Sequence, residues 1–147
     1  MPGILVGVDG SEHSRRALEW AMHEAASHRV PLIVMSVHPG QIRPAAEVLW
    51  ALPELPDKSF DPEPLRTALQ EMTDAVAKEN GETPPEITMK VAQGDPAEEL
   101  VRASKDAELI VVGSHGRGAF AQLLMGSVSS KLTHHAACPV VVIRGTG

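Results

Sequence analysis

Two short segments hold the residues best able to do chemistry. Val111-Val112-Gly113-Ser114-His115-Gly116-Arg117-Gly118 ends an apolar run in glycine, and Gly126-Ser127-Val128-Ser129 opens a helical pattern further on. Glu108 to Val112 reads as a buried strand feeding a glycine turn. The second segment then brings backbone N–H groups and serine hydroxyls to a helix start, where the dipole leaves about half a positive charge. Bare N–H groups of this kind hold a phosphate chain. Glycine serves where φ must be positive or a ligand must come close. The blander reading is a turn followed by an ordinary Gly-Ser cap.

The spacing Gly113-x2-Gly116-x9-Gly126-Ser127 separates this loop from three other motifs. A Walker A loop needs Lys and Ser/Thr after its second glycine, but Ala119-Phe120 follow Gly118. Gly116, Gly118 and Ala121 satisfy the letters of the dinucleotide fingerprint. They start beyond the strand, however, and the next strand ends at Arg144 without an acid for a ribose. A nucleophile elbow needs glycine two residues before its serine, and Val112 occupies that place before Ser114. A split phosphate site is what survives.

Other polar residues have two readings each. Asp9, ending the first strand, could accept from a base amine or ribose hydroxyl, or cap the helix that follows. Its place at a strand end favours the ligand. His115 and Arg117 stand in the loop, where Arg117 could neutralise phosphate charge or remain a solvated cation. Lys131, one turn inside the last helix, could brush a terminal phosphate but is read first as a surface cation. His134 and His135 project about 100° apart on a helix, so no metal site is expected there.

These groups need elements to position them. Apolar runs predict strands at Ile4–Val8, Leu32–Val37, Ile87–Val91, Leu109–Val112 and Val140–Ile143. All but the third are continuous, as in strands covered on both faces of a parallel sheet. Helical spacing predicts helices over Ser14–His28, Glu63–Asn80, Pro96–Ser104 and Ser127–Ala136, with Gly81 and Pro96 as boundary residues. The alternation predicts a five-stranded open parallel sheet with helices on both faces, Rossmann-like, in one domain over 1–147. Ligands of such sheets sit beyond the strands' carboxyl ends, at the switch in strand order. The 39–64 connection carries six prolines and Trp50. It is read as a lid, a contact surface or plain mobile chain, with a helical turn or two at Ala45 to Leu52.

Bulk properties narrow the function. A chain of 147 residues can bury roughly 70% of its unfolded surface. Thirteen Lys and Arg against nineteen Asp and Glu leave a net charge of −6 with no basic stripe, which argues against nucleic acid. Without Tyr, and with two Trp and two Phe, base stacking on an aromatic platform is not expected. No apolar run reaches membrane-spanning length, and no leader pattern opens the chain. The single Cys138 excludes an internal disulfide and fits a reducing, cytoplasmic setting.

From Ile4 to Ile143 the chain resembles the universal stress proteins, in their ATP-binding branch. The residues that carry the likeness are Val6-Gly7-Val8-Asp9-Gly10-Ser11, Ser36-Val37-His38, Gly113-Ser114-His115-Gly116 and Gly126-Ser127-Val128. Every defined position of that branch's G-x2-G-x9-G-[ST] pattern is met. The resemblance implies the adenine nucleotide α-hydrolase-like form of the fold. It places Gly7, Val8 and Asp9 at base and ribose, and the Val37 backbone at the adenine edge. It places Val112, Gly113, His115 and Gly116 at ribose and phosphates, and Gly126, Ser127, Val128 and Ser129 at the phosphate tail. Dimerisation through the last strand is implied as well, so a homodimer is expected.

ATP hydrolysis would need a positioned water, a base and usually Mg²⁺. His115 offers a base, yet no acid lies near it in sequence. The expectation is an ATP-binding regulator, with or without Mg²⁺ and with at most slow turnover, whose moving part is the 117–126 loop or the 39–64 connection. A cyclic-AMP sensor and a partner-binding protein with a vestigial pocket are the alternatives. A phosphate-accepting receiver domain is disfavoured, since only Asp9 with Gly10 follows strand one and Ile143-Arg144 ends strand five.

Overall fold

Apolar runs and helix signals fold into nine elements in a computed structural model that describes residues 2–38, 60–114 and 127–144. They are β1 (Gly3–Gly7), α1 (Glu12–His28), β2 (Leu32–His38), α2 (Glu63–Asn80), β3 (Ile87–Gln93), α3 (Pro96–Ser104), β4 (Ala107–Gly113), α4 (Ser127–His135) and β5 (Val140–Ile143). The strands form one sheet in the order β3-β2-β1-β4-β5. Every pairing is parallel. The five-stranded parallel Rossmann-like sheet expected from the sequence is the fold observed.

Alternation along each strand sorts side chains onto two faces. On one face Ile4, Val6, Leu32, Val34 and Val111 are buried under Ala17, Leu18, Ala21 and Met22 of α1 and Leu69 and Val76 of α2. On the other, Leu5, Met35, Ile110 and Val112 are buried with Leu100 of α3 and Leu132 of α4. Residues Val140 and Val142 join this second face, whereas Val141 and Ile143 join the first. The continuous run of β5 thus reflects a strand touched by core on both sides. At the opposite edge, Thr88 and Lys90 of β3 are exposed, and that strand alternates as its sequence does.

Capping chemistry sets the helix ends. Ser11 accepts from the Ser14 amide at 3.2 Å, so α1 starts at Glu12, two residues before the helix predicted from hydrophobic spacing. Polar first-turn residues carry no apolar signal, and the cap decides. Asp61 accepts from the Glu63 amide at 3.1 Å at the start of α2, and Gly81 closes it at φ 80°. Asp95 accepts from the Glu98 amide at 2.9 Å and starts α3 with Pro96 in its first turn. The helical turn expected over Ala45 to Leu52 lies outside the described residues, as does the 117–126 loop.

Candidate functional site

Strand order reverses between β1 and β4. These neighbours run in register, Leu5 beside Ile110 and Val6 beside Val111. Beyond them the chain parts. After Gly7 it leads to α1 on one face of the sheet, and after Gly113 towards α4 on the other. Divergence of this kind opens a crevice at the carboxyl ends, the place where open α/β sheets hold ligands. Its walls are pinned to the outer strands: the Val8 amide donates to the Met35 carbonyl at 2.9 Å and the Ser114 amide to the Ile143 carbonyl at 2.9 Å.

Both strand-end glycines are needed for packing. A β-carbon on Gly113 would stand 2.8 Å from the His13 carbonyl oxygen in the first turn of α1. One on Gly7 would stand 3.0 Å from Leu100 Cδ1 and 3.3 Å from Val112 Cγ1. Part of the glycine signal therefore comes from helices pressed close over the sheet ends. Neither residue has a positive φ; in this loop region that belongs to Gly10, at 85°.

The expected site residues divide by what they expose. Asp9 is exposed, and its Oδ1 accepts from the Ser11 amide at 2.8 Å, bracing the residue that caps α1. The capping role open to Asp9 thus falls to Ser11. Val8 and Val112 bury their side chains in opposite cores, so a ligand could meet them through backbone atoms. Val37 is half-buried on the α3–α4 face, and Val128 packs on the same side. Ser129 is buried, and its hydroxyl donates to the Ser114 carbonyl at 3.3 Å. His115, Gly116, Arg117 and Gly126 lie outside the described residues, and Ser127 is the first residue of α4. Gly7, Val8, Asp9, Gly113, Val128 and Ser129 therefore border the two exits from the switch point.

Residues outside the expected set also shape this end of the sheet. His13 supplies the carbonyl over Gly113, and Ser11 the cap; the Asp-x-Ser spacing was the available signal for the latter. Gln93 ends β3 two residues beyond the predicted strand, beside His38 in register. Lys131 Nζ stands 3.9 Å from Asp95 Oδ2 and 3.9 Å from Glu98 Oε1, facing the start of α3. The His134 and His135 rings are tilted with centroids 6.3 Å apart. Among the described residues, no three His, Cys, Asp or Glu side chains cluster as metal ligands would. Burial pushes the Cys138 thiol above its ordinary range, against a smaller opposing effect of a hydrogen bond with the Ile110 backbone. Backbone amides, carbonyls, hydroxyls and the Asp9 carboxylate are the described groups that this crevice can offer.

Comparison with known proteins agrees with this fold. The Universal stress protein family profile matches residues 2–144. A universal stress protein of Mycolicibacterium smegmatis is 36% identical over 146 residues, covering 97% of this chain and 48% of that protein. The chain thus spans about half the length of the curated relatives it matches. Among solved structures, the universal stress protein UspA from Lactobacillus plantarum superposes with a TM-score of 0.77 at 26% identity, covering 97% of each chain. A universal stress protein in complex with cAMP shares the fold at TM-score 0.68 and 24% identity, covering 99% of this chain and 98% of its own. Among the described residues, no helix is long and apolar enough to cross a membrane. Matched over nearly its whole length by the family profile, the chain belongs to the universal stress protein family.

Proposed function

We propose that the chain is an ATP-binding regulator, its nucleotide lying across the β1–β4 switch point and its phosphates on the start of α4. The observation that carries this reading is the pair of strand ends at Gly7 and Gly113, diverging to opposite faces ahead of the G-x2-G-x9-G-S pattern. Asp9 and Val37 serve the base and ribose end. Val112, Gly113, His115, Gly116 and Arg117 serve ribose and phosphates, and Gly126, Ser127, Val128 and Ser129 close the tail. Mg²⁺ would accompany the phosphates, and turnover is slow or nil. The chain acts in the cytoplasm as a nucleotide-binding domain and as a homodimer joined through β5, the edge strand whose outer side pairs with no strand among the described residues.

Nucleotide occupancy regulates by favouring one shape. A shift from 1:99 to 99:1 needs about 10⁴-fold tighter binding to the favoured state, about 5.5 kcal/mol. Loop protease cutting that changes with ATP supports a switch, and identical cutting contradicts it.

Calorimetric titration with ATP, cyclic AMP and GTP, beside a Gly126→Val variant, tests the ligand. ATP binding that disappears in the variant, with circular dichroism unchanged, is the expected result. Preference for cyclic AMP would move the function to a second-messenger sensor, a reading favoured by the cAMP complex of a structural neighbour. Absence of all nucleotide binding would overturn the proposal and leave a partner-binding protein.

A further inference from the structure

The two ends of the proposed nucleotide leave the sheet on opposite sides. α4, at the phosphate end, packs Leu132 and Val128 onto the face that buries Leu5 and Met35. Asp9 leads instead into α1, which packs on the other face together with α2. A ligand with phosphates at α4 and its base near Asp9 therefore directs the base towards the α1–α2 side, beyond the ends of β1, β2 and β3.

Gln93 occupies that corner. It is the last residue of β3 and stands in register with His38, the last of β2. Ala92 packs on the α3–α4 face and Ile87, Met89 and Val91 on the other. Alternation then puts Gln93 on the α1–α2 face. The Gly94 amide donates to the His38 carbonyl at 2.9 Å, closing the two strand ends together. The His38 ring stacks on Phe60 with centroids 4.4 Å apart and planes 13° from parallel. Within this frame the Gln93 side-chain nitrogen is buried and has no hydrogen-bond partner among the described residues. A buried donor left unmet destabilises the fold, and an acceptor on a ligand is one way to meet it.

We infer that Gln93 reads the base of the bound nucleotide and selects a 6-aminopurine. Its Nε2–H donates to a ring nitrogen of adenine while Oε1 accepts from the 6-amino group, the paired contact that a carboxamide makes with adenine. Guanine carries a carbonyl at position 6 and an N–H at the adjacent ring nitrogen, so among the purine nucleotides this orientation of the carboxamide favours adenine. The inference rests on the nucleotide reading and adds to it the residue that sets base preference.

Calorimetry with ATP and with the triphosphate of purine riboside, which lacks the 6-amino group, tests this in the wild type and in Gln93→Met. The wild type is expected to prefer ATP by about tenfold, the value of a well-made hydrogen bond. Gln93→Met should bring the two ligands within about twofold, with binding of the purine analogue retained. Thermal melting of the ligand-free variant should be unchanged or raised, because the substitution removes an unmet donor. Full ATP preference in Gln93→Met overturns the inference while leaving nucleotide binding intact. A lowered ligand-free melting temperature also overturns it, by assigning the amide to the fold. A wild type that binds neither triphosphate overturns the nucleotide reading, and this inference with it.

Discussion

The Ser129 hydroxyl donates to the Ser114 carbonyl across 3.3 Å, joining the first turn of α4 to the residue that follows β4. Both residues are buried, each with 1% of its surface exposed. The bond ties the start of α4 to the end of β4, so it sets how the two segments of the proposed split site would face each other. In the proposed nucleotide reading, Ser129 would meet a phosphate through its backbone amide, while its hydroxyl holds the frame.

Ser129→Ala removes that bond and leaves a buried carbonyl less well met. Unfolding in urea should show a loss of about 1 kcal/mol. ATP affinity should fall several-fold as the start of α4 loosens. Equal stability and equal affinity in the variant would show that the bond does neither.

Gly113→Ala should destabilise by about 1–3 kcal/mol, since the new β-carbon meets a main-chain oxygen of His13 that cannot swing away. Gly81→Ala makes the contrast. Open space surrounds Gly81, and its cost of about 1–2 kcal/mol comes from φ 80°. Thermal melts of the pair separate crowding from backbone strain: relieving the contact through α1 repacking is possible only for Gly113.

Leu132 is fully buried and fastens α4 to the sheet face that also holds Leu5 and Leu100. Leu132→Ala should cost about 2–5 kcal/mol in denaturant unfolding. A loss below 1 kcal/mol would mean that α4 is not held by this core.

The Cys138 thiol titrates above its ordinary range because burial disfavours the thiolate, with the Ile110 backbone hydrogen bond opposing it more weakly. The sign follows from linkage. A raised folded pKa means that the unfolded chain loses its proton first, so this contribution to stability is present below the ordinary thiol range and is lost as pH rises through the folded value. Alkylation by iodoacetamide at mildly alkaline pH should be slower in the folded protein than in urea. Equal rates would contradict a shielded thiol.

Much of this was legible in the sequence, for reasons that differ by element. Continuous runs such as Leu32–Val37 announced buried parallel strands, and the Ala17, Leu18, Ala21, Met22 spacing announced α1. Helix starts were harder, because Ser11 caps through geometry that apolar periodicity does not encode. The extension of β3 to Gln93 follows from pairing with His38, a tertiary contact invisible in a run that loses its hydrophobic signal at Val91. Gly113 shows the limit most sharply. Its sequence pattern points to a phosphate loop, while the structure adds a packing demand from His13 that no local signal carries.

Backbone amide chemical-shift mapping during titration with ATP tests the central claim most directly. The largest shifts are expected at Gly7, Val8, Asp9, Gly113, Ser114, Val128 and Ser129, around the diverging ends of β1 and β4. Saturating shifts confined to the opposite, amino ends of the strands, or no shift at all, would contradict it.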